Sequence, residues 1–417
     1  MDILTDLQWR GAINQVTDLP GLTQELQEHP IALYCGVDPT GPSMHIGHLI
    51  PFMLMERFAR AGNYPYIVIG GATGSIGDPS GRATERQLQT KQQVQANVTA
   101  LTKQMQQLFG ANSNIKIVNN YDWTKDLSLL DFLRDYGKHF NVNTMLNKEV
   151  VATRLDQGIS FTEFTYQILQ AYDFLTLNQK HHVQLQVGGA DQWGNITAGI
   201  DLIHKLVGRK QPVFGLTIPL MLKADGTKFG KTAGGAVWLD PQKTTPYEFY
   251  QFWYNQDDRD VVKYLKFFTF LSHAEIDELA KKVEQTPWKR DAQRALAENV
   301  TEFVHGHAAV ENAERIAQLL FTNNLQKLTA DEVQQVFHSV PTTTIAKTPH
   351  NLVDLLLTMQ VETSKRQARE DIKNGAIRIN GIKITDTNAQ IDPQSNFDGR
   401  YLIAQRGKKK HFLAQVQ

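Results

Sequence analysis

Short apolar runs rich in β-branched residues alternate, along the first half of the chain, with longer stretches of helical period. Residues 31–37 (IALYCGV), 64–70 (YPYIVIG), 115–118 (IKIV) and 183–187 (VQLQV) have the length and composition of buried strands. Between the first two, residues 48–61 (HLIPFMLMERFARA) repeat apolar side chains at helical spacing, so residues 31–70 read as one βαβ unit. This rhythm predicts an α/β fold with a Rossmann-like parallel sheet. Beyond about residue 245 the strand signals fade, and residues 245–256 and 292–321 carry helical spacing. Residues 338–351, with Pro341, Pro349 and clustered threonines, read as a linker. The expected division is therefore an α/β domain over 1–245, a helical domain over 246–337, a linker over 338–351 and a small α+β domain over 352–417. No internal repeat is present.

Composition narrows the class. With 41% apolar and 21% charged residues among 417, this is an ordinary globular chain, long enough for two or three domains. The single Cys35 excludes an internal disulfide, and a reducing cytoplasm is expected. The first residues lack the basic and apolar regions of a signal peptide, and no uncharged apolar run has bilayer length, so neither export nor membrane spanning is expected. Lysine plus arginine balances aspartate plus glutamate at 43 each, which argues against a protein that coats nucleic acid by charge alone. The balance is local, however. The segment from Thr363 onward is strongly basic.

Ligands of such sheets bind at the carboxyl ends of strands. Here those ends lead into CGVDPTGPSMHIGH (35–48), GGATGSIGDPSGR (70–82) and GGADQWGN (188–195), the most polar and glycine-rich loops of the chain. His45, Ile46, Gly47 and His48 stand where a crossover helix starts, and a helix N-terminus favours a bound anion. Two imidazoles there can donate to phosphate and ribose oxygens, and Gly47 leaves room for a nucleotide; the plain alternative is a capped helix with incidental histidines. In KADGTKFGKTAGG (223–235), Lys228 and Lys231 lie three apart on a loop rich in glycine. Such a loop can close over a triphosphate, although alone it reads equally as a solvated basic turn. Tyr166, Gln170 and Asp173 share one helix face by their spacing, which would line a pocket or simply face solvent.

Four phrases occur in order within one region of about 200 residues: YCGVDPTGPSMHIGHL, GDPSGR, LQVGGADQWGNI and KFGKT. Together they resemble the class I aminoacyl-tRNA synthetases with their HIGH and KMSKS signatures, and the wording is closest to the bacterial tyrosyl-tRNA synthetases. The resemblance runs over nearly the whole chain. It departs at Ala233, where an acidic residue is expected, and at Arg82, where lysine is common. A tryptophanyl-type relative is disfavoured by the Tyr34 and Asp173 pair. A catalytically silent RNA-binding relative is the alternative from another class, and the intact signatures speak against it.

The resemblance implies a tyrosine–tRNA ligase that makes tyrosyl-adenylate from ATP and passes tyrosine to tRNA. It implies that Asp78, Tyr166 and Gln170 hold the substrate ammonium, that Tyr34 and Asp173 bind the phenol, and that Gln186 and Gln192 stand beside the tyrosyl group. Backbone groups of Gly36 and Asp38 would meet the α-phosphate, with Cys35, His48 and Asp191 by the ribose. Thr40, His45, Arg82, Arg86, Lys228, Lys231 and Thr232 would stabilise the β- and γ-phosphates. Mg²⁺ would accompany ATP, held mainly by phosphate, with no protein-ligated metal. Residues 364–384 resemble the S-four-like RNA-binding fold, making Lys365, Arg366, Arg369, Arg378, Lys383, Lys408, Lys409 and Lys410 the expected tRNA contacts. The helical region would bind the anticodon arm, and a homodimer is expected.

Overall fold

The computed structural model describes residues 2–80, 84, 87–110, 114–155, 158–227, 229–232, 235–338, 340–407 and 410–417, with the backbone alone at 149, 150, 231 and 232. These form two compact units, one of residues 1–240 with 256–299, the other of 241–255 with 300–417. Among the described residues no helix is long and apolar enough to cross a membrane.

The first unit is built on a six-stranded sheet of β1 (Gln15–Val16), β2 (Ala32–Val37), β3 (Tyr64–Ile69), β4 (Lys116–Asn119), β5 (Val183–Gly189) and β6 (Phe214–Ile218). Its order is β1-β6-β5-β2-β3-β4, with β2 between β3 and β5. All neighbours run parallel except β1, which pairs antiparallel with β6 through Gln15 and Thr217. The expected Rossmann-like parallel sheet is present, with β1 added at its edge as an antiparallel strand too short to leave a readable period. The chain leaves β2 toward β3 and β4, then returns on the other side through β5 and β6. That reversal opens a crevice at the carboxyl ends of β2 and β5.

Five helices matter for the site: α1 (Ile46–Arg60), α2 (Lys91–Phe109), α3 (Phe161–His181), α4 (Trp193–Leu206) and α5 (Asp258–Phe268). The crossover α1 falls where the apolar spacing predicts. Ser160 caps α3 by accepting from the Glu163 N–H at 3.2 Å, a bond that fixes where the helix begins and hence which residues face the sheet. Its Ala171, Phe174 and Leu177 then pack with Ile196, Ile200 and Ile203 of α4 against Tyr34 and Val68. Gly199 permits that approach, since a Cβ there would stand 2.9 Å from the Phe174 ring.

Pro51 is the sixth residue of α1, past the first-turn donors that lack partners. Its missing N–H therefore leaves the Gly47 carbonyl without the usual helical donor.

The second unit joins helices to a five-stranded sheet ordered Ile382–Lys383, Ile377–Ile379, Tyr401–Arg406, Lys410–Val416, Thr342–Ile345. Residues 338–351 are not a free linker: Thr342–Ile345 pairs in parallel with Leu413–Val416, and His350–Asn351 pairs with Gln390–Ile391. Three threonines and an isoleucine are good strand formers, a preference that the flanking prolines masked. Ile316, Val333 and Phe337 share one core with Phe397, Ile403 and Leu413, so the helices and the basic module bury each other's apolar faces. Residues 256–299 belong with the first unit rather than with these helices. Because Ile403 is fully buried in the shared core, Ile403→Ala should cost about 2–5 kcal/mol. Hydrogen exchange should then rise together at 330–337 and 410–416; faster exchange in the strand alone would show that the two parts unfold separately.

Candidate active site

The crevice is a cavity of about 300 Å³. It is lined by β2, β5, the turns after β3 and β4, the N-terminal part of α1 and one face of α3. Tyr34, Cys35, Gly36, Asp38, Thr40, His48, Asp78, Tyr166, Gln170, Asp173, Gln186, Asp191 and Gln192 all reach it, as their strand-end positions imply. His45 and Gly47 are not among its lining residues.

A buried polar network forms its floor. Tyr166 Oη donates to Asp38 Oδ2 at 2.9 Å, and Thr73 Oγ1 donates to Asp38 Oδ1 at 2.7 Å. Asn120 Nδ2 donates to Thr73 Oγ1 at 3.0 Å and to Asp173 Oδ2 at 2.9 Å, while Trp123 Nε1 donates to Asp173 Oδ1 at 2.8 Å. A Cβ on Gly70 would overlap Asp38 Oδ1 and Thr73 Oγ1, so only glycine lets the network close. Asp173 accordingly leans on Asn120 and Trp123 and does not orient Tyr166 or Gln170. Burial nevertheless pushes its carboxyl up to about 7, against the pull of those two donors. Tyr34 and Gln186 line the same cavity, and Tyr34 Oη and Gln186 Oε1 are buried without a partner among the described residues. Burial, with the nearby Asp173 charge, keeps the Tyr34 phenol protonated far above its usual range.

A second cluster holds Asp78, whose oxygens accept from the Ser80 N–H at 2.9 Å and Gln192 Nε2 at 2.7 Å. Asn195 Nδ2 donates to Gln170 Oε1 at 2.9 Å and to Gln192 Oε1 at 3.3 Å. Cys35 is a buried thiol pushed up to about 12, which removes it as a nucleophile.

At the start of α1, His45 caps the helix by accepting from the Gly47 N–H at 3.1 Å. His48 Nδ1 accepts from the His45 N–H at 3.2 Å, so its proton sits on Nε2. Burial, reinforced by the neighbouring His45, lowers His48 to about 3 and leaves it a neutral donor. The lysine loop meets this turn directly. Ile46 N–H donates to the Val237 carbonyl and Leu239 N–H to the Met44 carbonyl, both at 2.9 Å. A side chain on Gly230, at φ +97°, would meet the Gly47 nitrogen at 3.6 Å. Lys231 and Thr232 pair with Gly235–Ala236 in a short hairpin, described for their backbone alone. Arg82, Arg86 and Lys228 lie outside the described residues.

Of the expected RNA contacts, Lys365, Arg366 and Arg369 are exposed on the helix Lys365–Lys373; Arg378, Lys383 and Lys410 lie on strands. Lys408 and Lys409 are outside the described residues. Sequence reasoning missed Thr73, Asn120, Trp123 and Asn195. Asn120 and Trp123 follow β4 directly, so the strand-end rule applied to NNYDWT would have found them.

A nucleotide-binding sheet whose HIGH turn is paired to the exit of a lysine loop defines a class I aminoacyl-tRNA synthetase, and the family model described as tRNA synthetases class I (W and Y) matches residues 26–322. A model of the tyrosine–tRNA ligase SYY-like C-terminal domain matches residues 332–414. The tyrosine–tRNA ligase of Levilactobacillus brevis is 66% identical over 417 residues, covering all of both chains. That of Latilactobacillus sakei is 65% identical over 416 residues, covering 100% of this chain and 99% of its own. The crystal structure of a C-terminally truncated mitochondrial tyrosyl-tRNA synthetase from Aspergillus nidulans superposes with a TM-score of 0.69 at 32% identity, covering 76% of this chain and 94% of that one. The chain belongs to the bacterial tyrosyl-tRNA synthetases: it is a tyrosine–tRNA ligase that activates L-tyrosine with ATP and transfers it to tRNA.

The raised Asp173 predicts a pH dependence. A tyrosine phenol donating to this carboxyl would favour its charged form, so that binding would lower the pKa below about 7 and release a proton. Tyrosine affinity should therefore strengthen as pH rises through about 7, by titration calorimetry, and the dependence should vanish in Asp173→Asn. In the free protein the same shift works oppositely: stability present with the protonated carboxyl is lost as pH rises through about 7.

Proposed function

We propose that the buried end of the cavity takes the tyrosine phenol, between Tyr34 and Asp173, and that the cluster of Asp78, Tyr166 and Gln170 takes the ammonium. One observation carries this reading: an unpartnered Tyr34 hydroxyl and a carboxyl already holding two donors occupy the same cavity. A phenol can donate to Asp173 and accept from Tyr34, whereas phenylalanine leaves the Tyr34 hydroxyl unpaired and gives the buried Asp173 carboxyl no further donor. That penalty rejects the hydroxyl-free analogue, an effect for which tyrosyl-tRNA synthetases are the usual illustration. Gln186, whose carbonyl oxygen is likewise unpartnered, and Gln192 flank the tyrosyl group.

ATP then lies toward the mouth. Four carboxylates, Asp38, Asp78, Asp173 and Asp191, line the cavity, with no lysine or arginine among the described lining residues. Such a surface suits an ammonium and repels a triphosphate, so the compensating charge comes from the flanking loops, through Arg82, Arg86, Lys228 and Lys231, with Thr40, His45 and Thr232. Gly36 offers backbone at a place where a Cβ would meet only the Val68 carbonyl, at 3.9 Å, and Gly47 offers its N–H-rich helix start. His48 Nε2–H and Asp191 serve the ribose. Among the described residues no three His, Cys, Asp or Glu side chains gather around a metal position; Mg²⁺ would ride on the phosphates, and the chain's part is to hold them. The substrate carboxylate attacks the α-phosphorus, and alignment with charge stabilisation supplies the catalysis.

The helix Lys365–Lys373 begins with Lys365 and Arg366, cations at the end where the helix dipole disfavours them. A tRNA phosphate would relieve that repulsion. Leu129, Leu130, Leu133, Val142 and Leu155, exposed between β4 and α3, and Phe161, exposed at the first residue of α3, fit a homodimer interface. The buried Cys35 thiol suits a reducing cytoplasm.

Asp173→Asn should reduce kcat/KM for tyrosine by about 10–100-fold while affecting phenylalanine far less. An unchanged ratio would remove Asp173 from the specificity pocket. Lys231→Ala should slow adenylate formation by roughly 10²–10³-fold with little change in tyrosine affinity; lost tyrosine binding at an unchanged rate would contradict the loop's role.

A further inference from the structure

One face of α5 carries Asp260, Lys263, Tyr264 and Phe268, spaced to lie together, and each engages the segment that leads into the lysine loop. That segment is a small hairpin: Phe229 N–H donates to the Met221 carbonyl at 3.2 Å, and Lys223 N–H to the Thr227 carbonyl at 2.8 Å. At its tip the Ala224 N–H donates to Asp260 Oδ2 at 2.9 Å. Lys263 Nζ donates to the Leu222 carbonyl and stands 3.2 Å from Asp260 Oδ1. Phe229, between the two lysines, packs its ring 4.9 Å from Tyr264 and 5.2 Å from Phe268.

The far end of α5 is tied to α1. Arg57, buried, donates to the carbonyls of Lys266, Phe267 and Thr269, and Arg10 donates to Lys266 at 3.0 Å and Leu271 at 2.9 Å. These guanidinium groups satisfy carbonyls that the last helical turn leaves unpaired. α1 therefore holds α5, and α5 holds the entry of the loop whose exit is paired back to the start of α1.

We infer that Asp260 is a positioning residue for adenylate formation, fixing the entry hairpin of the loop proposed to act on the triphosphate. The inference rests on the reading that the lysine loop acts on the phosphates. Asp260 is not among the residues that line the cavity. It accepts from the hairpin tip and braces Lys263, so its loss loosens the loop without altering the tyrosine cavity.

The test uses the full-length enzyme with tyrosine and MgATP. Asp260→Ala should lower the single-turnover rate of tyrosyl-adenylate formation by about 10–100-fold, with the tyrosine Kd within about twofold of the parent. Asp260→Asn, which keeps an acceptor for Ala224, should recover most of the rate. Lys263→Met, at a partly exposed position, tests the same hairpin should Asp260→Ala fold poorly, and should slow the same step. Combined with Lys231→Ala, the Asp260→Ala loss should be much smaller than it is alone, because both act through one loop. Full additivity, or a tyrosine Kd that rises in step with the lost rate, would overturn the inference. An unslowed Lys231→Ala enzyme would overturn the loop reading and the inference with it. A slowed Lys231→Ala beside unslowed Asp260→Ala and Lys263→Met would overturn the inference alone.

Discussion

The half-buried carboxylate of Asp38 is the constraint on which the site depends. Partly shielded from water, it takes one donor from Tyr166 on α3 and one from Thr73 after β3. Asn120 then joins Thr73 to Asp173, so the ends of β2, β3 and β4 and one face of α3 are fixed by one set of hydrogen bonds. Each bond adds little net stability, but a partner left unpaired in this setting costs about 1–3 kcal/mol. The geometry of the cavity floor is consequently specified by what must be satisfied. Gly70 is part of the same constraint, since any side chain there would displace it.

Charge divides the labour around that floor. The cavity wall is acidic, a surface that suits an ammonium, and no lysine or arginine is among its described lining residues, so charge compensation for a triphosphate is proposed to come from the flanking loops. Lysines built into that wall would pair with Asp38, Asp78 and Asp173 and cancel the acidity proposed to receive the substrate ammonium. Placing the cations on a loop lets charge compensation arrive with the nucleotide. His48 fits the scheme: as a neutral imidazole with its proton on Nε2, it donates a hydrogen bond without adding fixed charge.

The second unit follows a different rule. Its basic module shares a core with the helices Ala330–Phe337 and His307–Phe321, and the segment between them becomes a sheet strand. Small modules seldom bury enough apolar area alone. Sharing the core answers that shortage and leaves the exposed faces free to carry lysine and arginine.

How much of this was legible in the chain varies with the range of the interaction. Four strands, the crossover helix and the shared face of Tyr166, Gln170 and Asp173 could be read, because alternation, helical period and glycine-rich strand ends are local signals. The motif phrases carried the family for the same reason. The antiparallel edge strand β1, the strand Thr342–Ile345 and the grouping of residues 256–299 with the sheet could not be read, since two to four residues, or a helix without its partner, have no pattern of their own. Sequence alone determined which side chains were available for the chemistry and on which element each would lie. Only the tertiary structure decided that Asn120 and Trp123 would hold Asp173, that burial would raise its carboxyl to about 7, and that α5 would brace the lysine loop. Those are contacts between segments tens of residues apart, and hydrogen bonding and desolvation depend on what surrounds a group in space, wherever its neighbours fall in the chain.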